Sequence, residues 1–118
     1  MFTIDLFRNV DNAQSFAAGA KIFGEGDAGD TMYVVIEGAV ELHVKGKLVD
    51  ELGPGGALGE MALIDSAPRS ATAVAKTDCK LAPIDERRFK FLVQQTPNFA
   101  LQLMRIIAER LRRMDDRL

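Results

Sequence analysis

Cysteine and histidine occur once each, as Cys79 and His43, and tryptophan does not occur at all. A lone thiol cannot close an internal disulfide or build a thiolate cluster, and a single imidazole adds little metal-ligating capacity, so no metal site is expected. Long apolar runs are also missing. Stretches of about six residues or fewer fall far short of the roughly 20 that a membrane-spanning helix needs. The opening residues alternate polar and apolar without a basic flank leading into an apolar stretch, so no secretory signal is read and a cytoplasmic protein is expected. Net charge is small, at −2, but unevenly spread: residues 1–66 carry 4 basic and 11 acidic side chains, and residues 67–118 carry 11 and 6. The basic half does not read as a nucleic-acid surface. Arg105, Arg110, Arg112, Arg113 and Arg117 lie on a helical pattern with acids between them and no interleaved aromatics, which fits a solvated helix face.

With 118 residues, 47% of them hydrophobic, the chain can bury one core, and a single domain over residues 1–118 is expected. All ten glycines fall between Gly19 and Gly59, where they punctuate short, β-branched apolar runs as turns punctuate strands. Strands are predicted at Lys21–Phe23, Thr31–Ile36, Ala39–Val44, Leu48–Leu52, Ala71–Ala75 and Cys79–Ile84. Glu37-Gly38 reads as the turn of one hairpin, and Lys45-Gly46-Lys47 returns the chain into the next strand. Strands this short and closely spaced favour a barrel or sandwich, which leaves few exposed edges. The domain divides into an N-terminal segment (1–15), a β-barrel (16–84) and C-terminal helices (85–118).

From Asp85 the apolar spacing turns helical, with Phe89, Leu92 and Val93 on one face as far as Thr96-Pro97. A second helix should start there, with Pro97 in its first turn and Thr96 as its cap. Leu101, Met104, Ala108, Leu111 and Leu118 form its apolar stripe, widened by Leu103, Ile107 and Met114. So broad a stripe needs more than one surface to cover it: part the barrel, part a ligand or another chain.

The chemically informative stretch runs from Leu58 to Ala75, after the turn Gly53-Pro54-Gly55-Gly56. A short helix opening near Gly59 would offer unpaired N–H groups to an anion. Arg69 would supply a planar fork able to donate two parallel hydrogen bonds to a phosphodiester. Ser70 could complete the anion's shell. Glu60 would be repelled by that anion unless it accepts a hydrogen bond from something else, for which a ribose hydroxyl is suited.

Gly59-Glu60, the short helix and Pro68-Arg69-Ser70-Ala71, at this spacing, resemble the phosphate-binding cassette of the cyclic nucleotide-binding domain family. Gly24–Val44 resembles the family's glycine-punctuated hairpin, and the helical end its closing helices. The resemblance implies a mainly β fold: an eight-stranded antiparallel jelly-roll barrel (double-stranded β-helix) with the cassette (58–75), a short cassette helix and two C-terminal helices. It implies a non-catalytic sensor of cAMP, with cGMP as the alternative, and no further cofactor. Glu60 would take the ribose 2′-hydroxyl and Arg69 the cyclic phosphate. Gly59, Met61, Ala62, Ser70 and Ala71 would complete the site, and Thr72 would line the base side. Arg110, Arg113 and Met114 are the implied lid.

Two departures from that pattern shape the remaining expectations. The helices that usually precede the barrel have only about Thr3–Ser15 available to them. Nothing after the last helix reads as an output domain, so the expectation is a protein effector on another polypeptide, no DNA-binding domain in this one, and a homodimer through the C-terminal helix as one means of assembly. A structural or dimerisation module of the same fold, its pocket unused, is the alternative function. Enzyme readings lack support, since His43 has no partner constellation and no nucleophile elbow is present. Cys79 reads as a buried strand residue.

Overall fold

The computed structural model describes Phe7 and residues 10–117, except for the side chains of residues 116 and 117. Leu118 and most of the N-terminal segment lie outside the described residues. Among the described residues there are eight strands: β1 (Gln14–Phe16), β2 (Lys21–Phe23), β3 (Thr31–Glu37), β4 (Val40–Val44), β5 (Lys47–Leu52), β6 (Ala57–Leu58), β7 (Thr72–Ala75) and β8 (Cys79–Asp85). Three helices accompany them: α1 (Met61–Ile64) between β6 and β7, then α2 (Glu86–Gln95) and α3 (Pro97–Arg117) at the end. The strands divide into two four-stranded antiparallel sheets, ordered β1-β8-β3-β6 and β2-β7-β4-β5.

The first sheet explains why its central strands are almost continuously apolar. Side chains alternate across a strand, and here both faces are covered. Met32, Val34 and Ile36 of β3 join Ala82 and Ile84 of β8 in a core with Leu92 of α2 and Phe99, Leu103 and Ile106 of α3. Val35, Cys79 and Leu81 belong to a second core, shared with Val40, Leu42, Leu52, Ala73 and Ala75 of the other sheet. Burying each such aliphatic side chain stabilises the fold by about 1.5–3 kcal/mol. Cys79 is buried as expected, and burial, with help from the Asp78 carboxylate, pushes its thiol pKa up, away from the reactive thiolate.

One turn does something other than the sequence implied. Glu37-Gly38 does not close a hairpin, because β3 pairs with β8 and β6 whereas β4 pairs with β5 and β7. It carries the chain from one sheet to the other. Gly38 is required there: its φ is +86°, and a Cβ would lie 2.4 Å from the Asp78 carbonyl oxygen. The hairpin that does form joins β4 to β5 through Lys45-Gly46, whose positive φ values of 52° and 80° match the primed turns that fit strand twist.

Asp85 caps α2, its side chain accepting from the Arg88 N–H at 2.8 Å. Thr96 links the two long helices through its backbone: its N–H donates to the Leu92 carbonyl and its carbonyl accepts from Phe99 N–H, both at 2.9 Å. Phe89 then meets Phe99 edge to face, ring centroids 5.8 Å apart. The face of α3 that packs inward is Phe99, Leu103 and Ile106, whereas Leu101, Met104 and Leu111 of the anticipated stripe are exposed. The helix carries apolar residues on more than one face, and the sheet selects the one that the Phe89–Phe99 contact turns toward it. Among the described residues no helix is long and apolar enough to cross a membrane.

Candidate functional site

Arg69 is held before any ligand is considered. Its N–H donates to the Asp27 carbonyl and its carbonyl accepts from Gly26 N–H, both at 2.8 Å, so the glycine-rich loop between β2 and β3 fixes its backbone. Its side chain is buried, with Nη1 donating to the Gly59 carbonyl at 3.1 Å. Gly59, at φ +77°, brings the chain so close that a Cβ there would lie 2.6 Å from Nη1. Asp65, four residues earlier, forms no ion pair with Arg69 among the described residues. Asp65 instead accepts from the Ala67 N–H.

Gly59, Glu60, Met61, Ala62, Arg69, Ser70 and Ala71 line one cavity of about 190 Å³, with Arg110 and Met114 of α3 at its other side. Leu42, Val44 and Val49 of β4 and β5 and Phe23 of β2 supply its apolar wall. Two buried polar atoms in this lining have no hydrogen-bond partner among the described residues, Glu60 Oε2 and Arg69 Nε. Such orphans are costly unless something outside the chain satisfies them.

Two sequence-derived assignments do not reach the cavity. Thr72 lies on β7, and its hydroxyl accepts from the Glu25 N–H at 3.0 Å, which ties the strand to the glycine-rich loop. Arg113 stands on α3 between Arg110 and Met114, which line the cavity, but its side chain turns to Asp50. Nor is Arg110 part of a solvated face. Its side chain is only 12% exposed. Nη1 donates to Glu60 Oε1 at 2.6 Å, Nε donates to Asp50 Oδ2 at 3.1 Å, and Nη2 donates to the Ala57 carbonyl.

Asp50 gave no signal in the sequence, standing as one acid in the otherwise ordinary strand β5. Its partners come from 60 and 63 residues away, a distance no local pattern spans. Burial pushes its pKa up, but the hydrogen bonds and charges of Arg113 and Arg110 together outweigh that, and the carboxyl is held below its ordinary value of 3.8. A carboxylate more acidic in the folded chain than in the unfolded one stabilises the fold at pH values above 3.8, and this contribution drains away as pH falls through the lower folded value. Urea denaturation of wild type and Asp50→Asn should therefore give a stability gap that is full at pH 7 and narrows below 3.8. A gap constant through the acid range would contradict this account of Asp50.

The comparisons with known proteins bear on this geometry directly. Residues 13–96 match the model of the cyclic nucleotide-binding domain. The chain belongs to the cyclic nucleotide-binding domain family. It is 30% identical over 108 residues to a CRP-like cAMP-activated global transcriptional regulator of Mycobacterium tuberculosis, an alignment covering 87% of this chain and 48% of that protein. Among solved structures it resembles the Thermus thermophilus catabolite activator protein (36% identity, TM-score 0.76, 88% of this chain and 51% of that one). It also resembles a cAMP-bound PfPKA-R (28% identity, TM-score 0.77, 89% and 36%).

The chain thus spans about half the length of the curated relatives it matches. That corrects the expectation of an effector on another polypeptide and no DNA-binding domain. The expectation rested on where the sequence stops, whereas the relatives that share this domain are transcriptional regulators about twice as long.

Proposed function

We propose that this domain senses cAMP, and that occupancy is expressed in the position of α3. One observation carries the reading. A buried acceptor, Glu60 Oε2, and a buried donor, Arg69 Nε, belong to one cavity, bear opposite charge, and are each unpartnered. A ligand that satisfies both must offer a hydroxyl donor and an anionic acceptor on one compact frame. The 2′-hydroxyl and the cyclic phosphodiester of a 3′,5′-cyclic nucleotide do that. The backbone of Gly59, Met61, Ala62, Ser70 and Ala71 surrounds the phosphate side, and Met114 closes on the base.

Adenine is favoured over guanine because Leu42, Val44 and Val49 offer no hydrogen bonds to a base edge. Guanine presents more polar groups that would lose their water without replacement. The name of the mycobacterial relative supports the same choice. An unused pocket is disfavoured, since an abandoned site has no reason to keep a buried arginine and a buried glutamate short of partners.

Glu60 links the ligand to α3, because its Oε1 holds Arg110 while its Oε2 faces the ribose. A ligand that binds one position of α3 about 100-fold better than another shifts that equilibrium by about 2.7 kcal/mol. We read the two sheets as the halves of a jelly roll whose interior holds the base.

Thermal melting with added nucleotide tests the reading. At a cAMP concentration about 100 times its dissociation constant, the folded state gains about 2.7 kcal/mol, which should raise the melting temperature by several degrees. cGMP should do so less, and 5′-AMP, with its open phosphate, least. A midpoint indifferent to millimolar concentrations of all three would overturn the proposal.

A further inference from the structure

Phe23 lies under the Arg69 guanidinium, with Cζ 4.2 Å from the ring centroid. The ring of Tyr33 stacks behind it at 6.4 Å, with an interplanar angle of 26°. Gly29, in the loop between β2 and β3, contacts the same group. A Cβ added to Gly29 would lie 2.4, 2.5 and 2.6 Å from Nε, Cζ and Nη2. A point in the guanidinium plane beyond the Nε–Nη2 edge would be clearly farther from Cζ than from either nitrogen. Near-equal distances therefore put that position over the flat face, not at the rim. Only a residue without a side chain can approach there.

The guanidinium is thus packed over an aromatic ring, met across its face by a bare backbone, and anchored at one rim donor by the Gly59 carbonyl. Its Nε is left buried and unpartnered. Face contacts use none of the in-plane N–H groups, and those are the groups that recognise a phosphate bidentately. We propose that Phe23 and Gly29 are positioning residues, which fix the plane of Arg69 so that its Nε edge meets the ligand's anion in a single orientation. This rests on the cavity being the cyclic nucleotide site, and it assigns a role to two residues that the cassette itself does not contain.

Two measurements test it, one of them without ligand. In the unliganded protein, the Arg69 Nε–H resonance should carry a ring-current shift from Phe23 that Phe23→Leu removes and Phe23→Tyr keeps. In calorimetry with cAMP, Phe23→Leu should weaken binding by about tenfold, as expected for loss of a desolvated cation–π contact, and Phe23→Tyr should stay within about twofold of wild type. Gly29→Ala should weaken binding more than Phe23→Leu, while both variants melt cooperatively.

An Arg69 resonance indifferent to Phe23→Leu would overturn the proposal whatever the ligand does. So would wild-type affinity in Phe23→Leu and Gly29→Ala, and in that case the site reading survives. If wild type binds no cAMP at all, the site reading fails and the ligand-facing role of Phe23 and Gly29 fails with it.

Discussion

Arg69→Ala is expected to lower affinity for cAMP by about 2–5 kcal/mol, a loss of roughly 30-fold or more. Arg69 is buried beside the cavity, so its removal strands a desolvated phosphate with backbone donors alone. The fold should suffer far less, because among the described residues the guanidinium makes one hydrogen bond, to the Gly59 carbonyl. Arg69→Lys should fall between the two, since an ammonium supplies charge without the planar fork that a phosphodiester can meet with two parallel bonds. Calorimetric titration of the three proteins with cAMP checks the order. Equal affinities for wild type and Arg69→Ala would remove Arg69 from the site.

Arg110→Met should chiefly cost stability, by about 3–5 kcal/mol. Methionine fills much of the volume but leaves two carboxylates, Asp50 and Glu60, whose side chains are only 4% and 5% exposed. Asp50 would still have Arg113. Glu60 would have no cation at all among the described contacts. In a domain of this size such a loss lowers the melting midpoint by more than about 10 °C. The same reasoning makes the cost depend on the stranded charge and not on lost contact area. Arg110→Met combined with Glu60→Gln should therefore be more stable than Arg110→Met alone. A double variant no better than the single one would show that α3 is held mainly by Leu103 and Ile106, and that the buried ion pairs matter little.

The two variants separate the tasks of two arginines that line one cavity. Arg69 comes from the cassette and is placed by backbone bonds to Gly26 and Asp27. Arg110 comes from α3 and is placed by carboxylates on β5 and at the start of α1. Glu60 stands between them, with one oxygen committed to α3 and the other unmet. On the proposed reading, a ligand hydroxyl arriving at Oε2 would draw electron density from the carboxylate that holds Arg110, and would so couple occupancy to helix position.

What could be read in advance follows from distance along the chain. Gly59, Glu60 and Arg69 lie within eleven residues, so glycine spacing and side-chain chemistry expose their cooperation. Phe23 on β2, Gly29 in the loop that follows, and Asp50 on β5 act on Arg69 or Arg110 from elsewhere in the chain, and nothing local marks them. Six strands announce themselves through β-branched runs. β1 and β6, of three and two residues, contain no β-branched residue to mark them. Glu37-Gly38 was legible as a turn but not as a sheet-to-sheet crossing, because β3 pairs with β6 and β8, which follow only after β4 and β5 have intervened. On α3, Leu101, Met104, Ala108 and Leu111 recur at helical spacing, yet Phe99, Leu103 and Ile106 do so too. Periodicity alone cannot choose between two apolar faces, and the choice falls to the sheet they meet.

Crystallisation with cAMP tests the central claim most directly. The account predicts one nucleotide in the cavity, its phosphate within hydrogen-bond distance of Arg69 Nε and its ribose 2′-hydroxyl on Glu60 Oε2. A nucleotide seated elsewhere, or one in the cavity that leaves both atoms unmet, would contradict it.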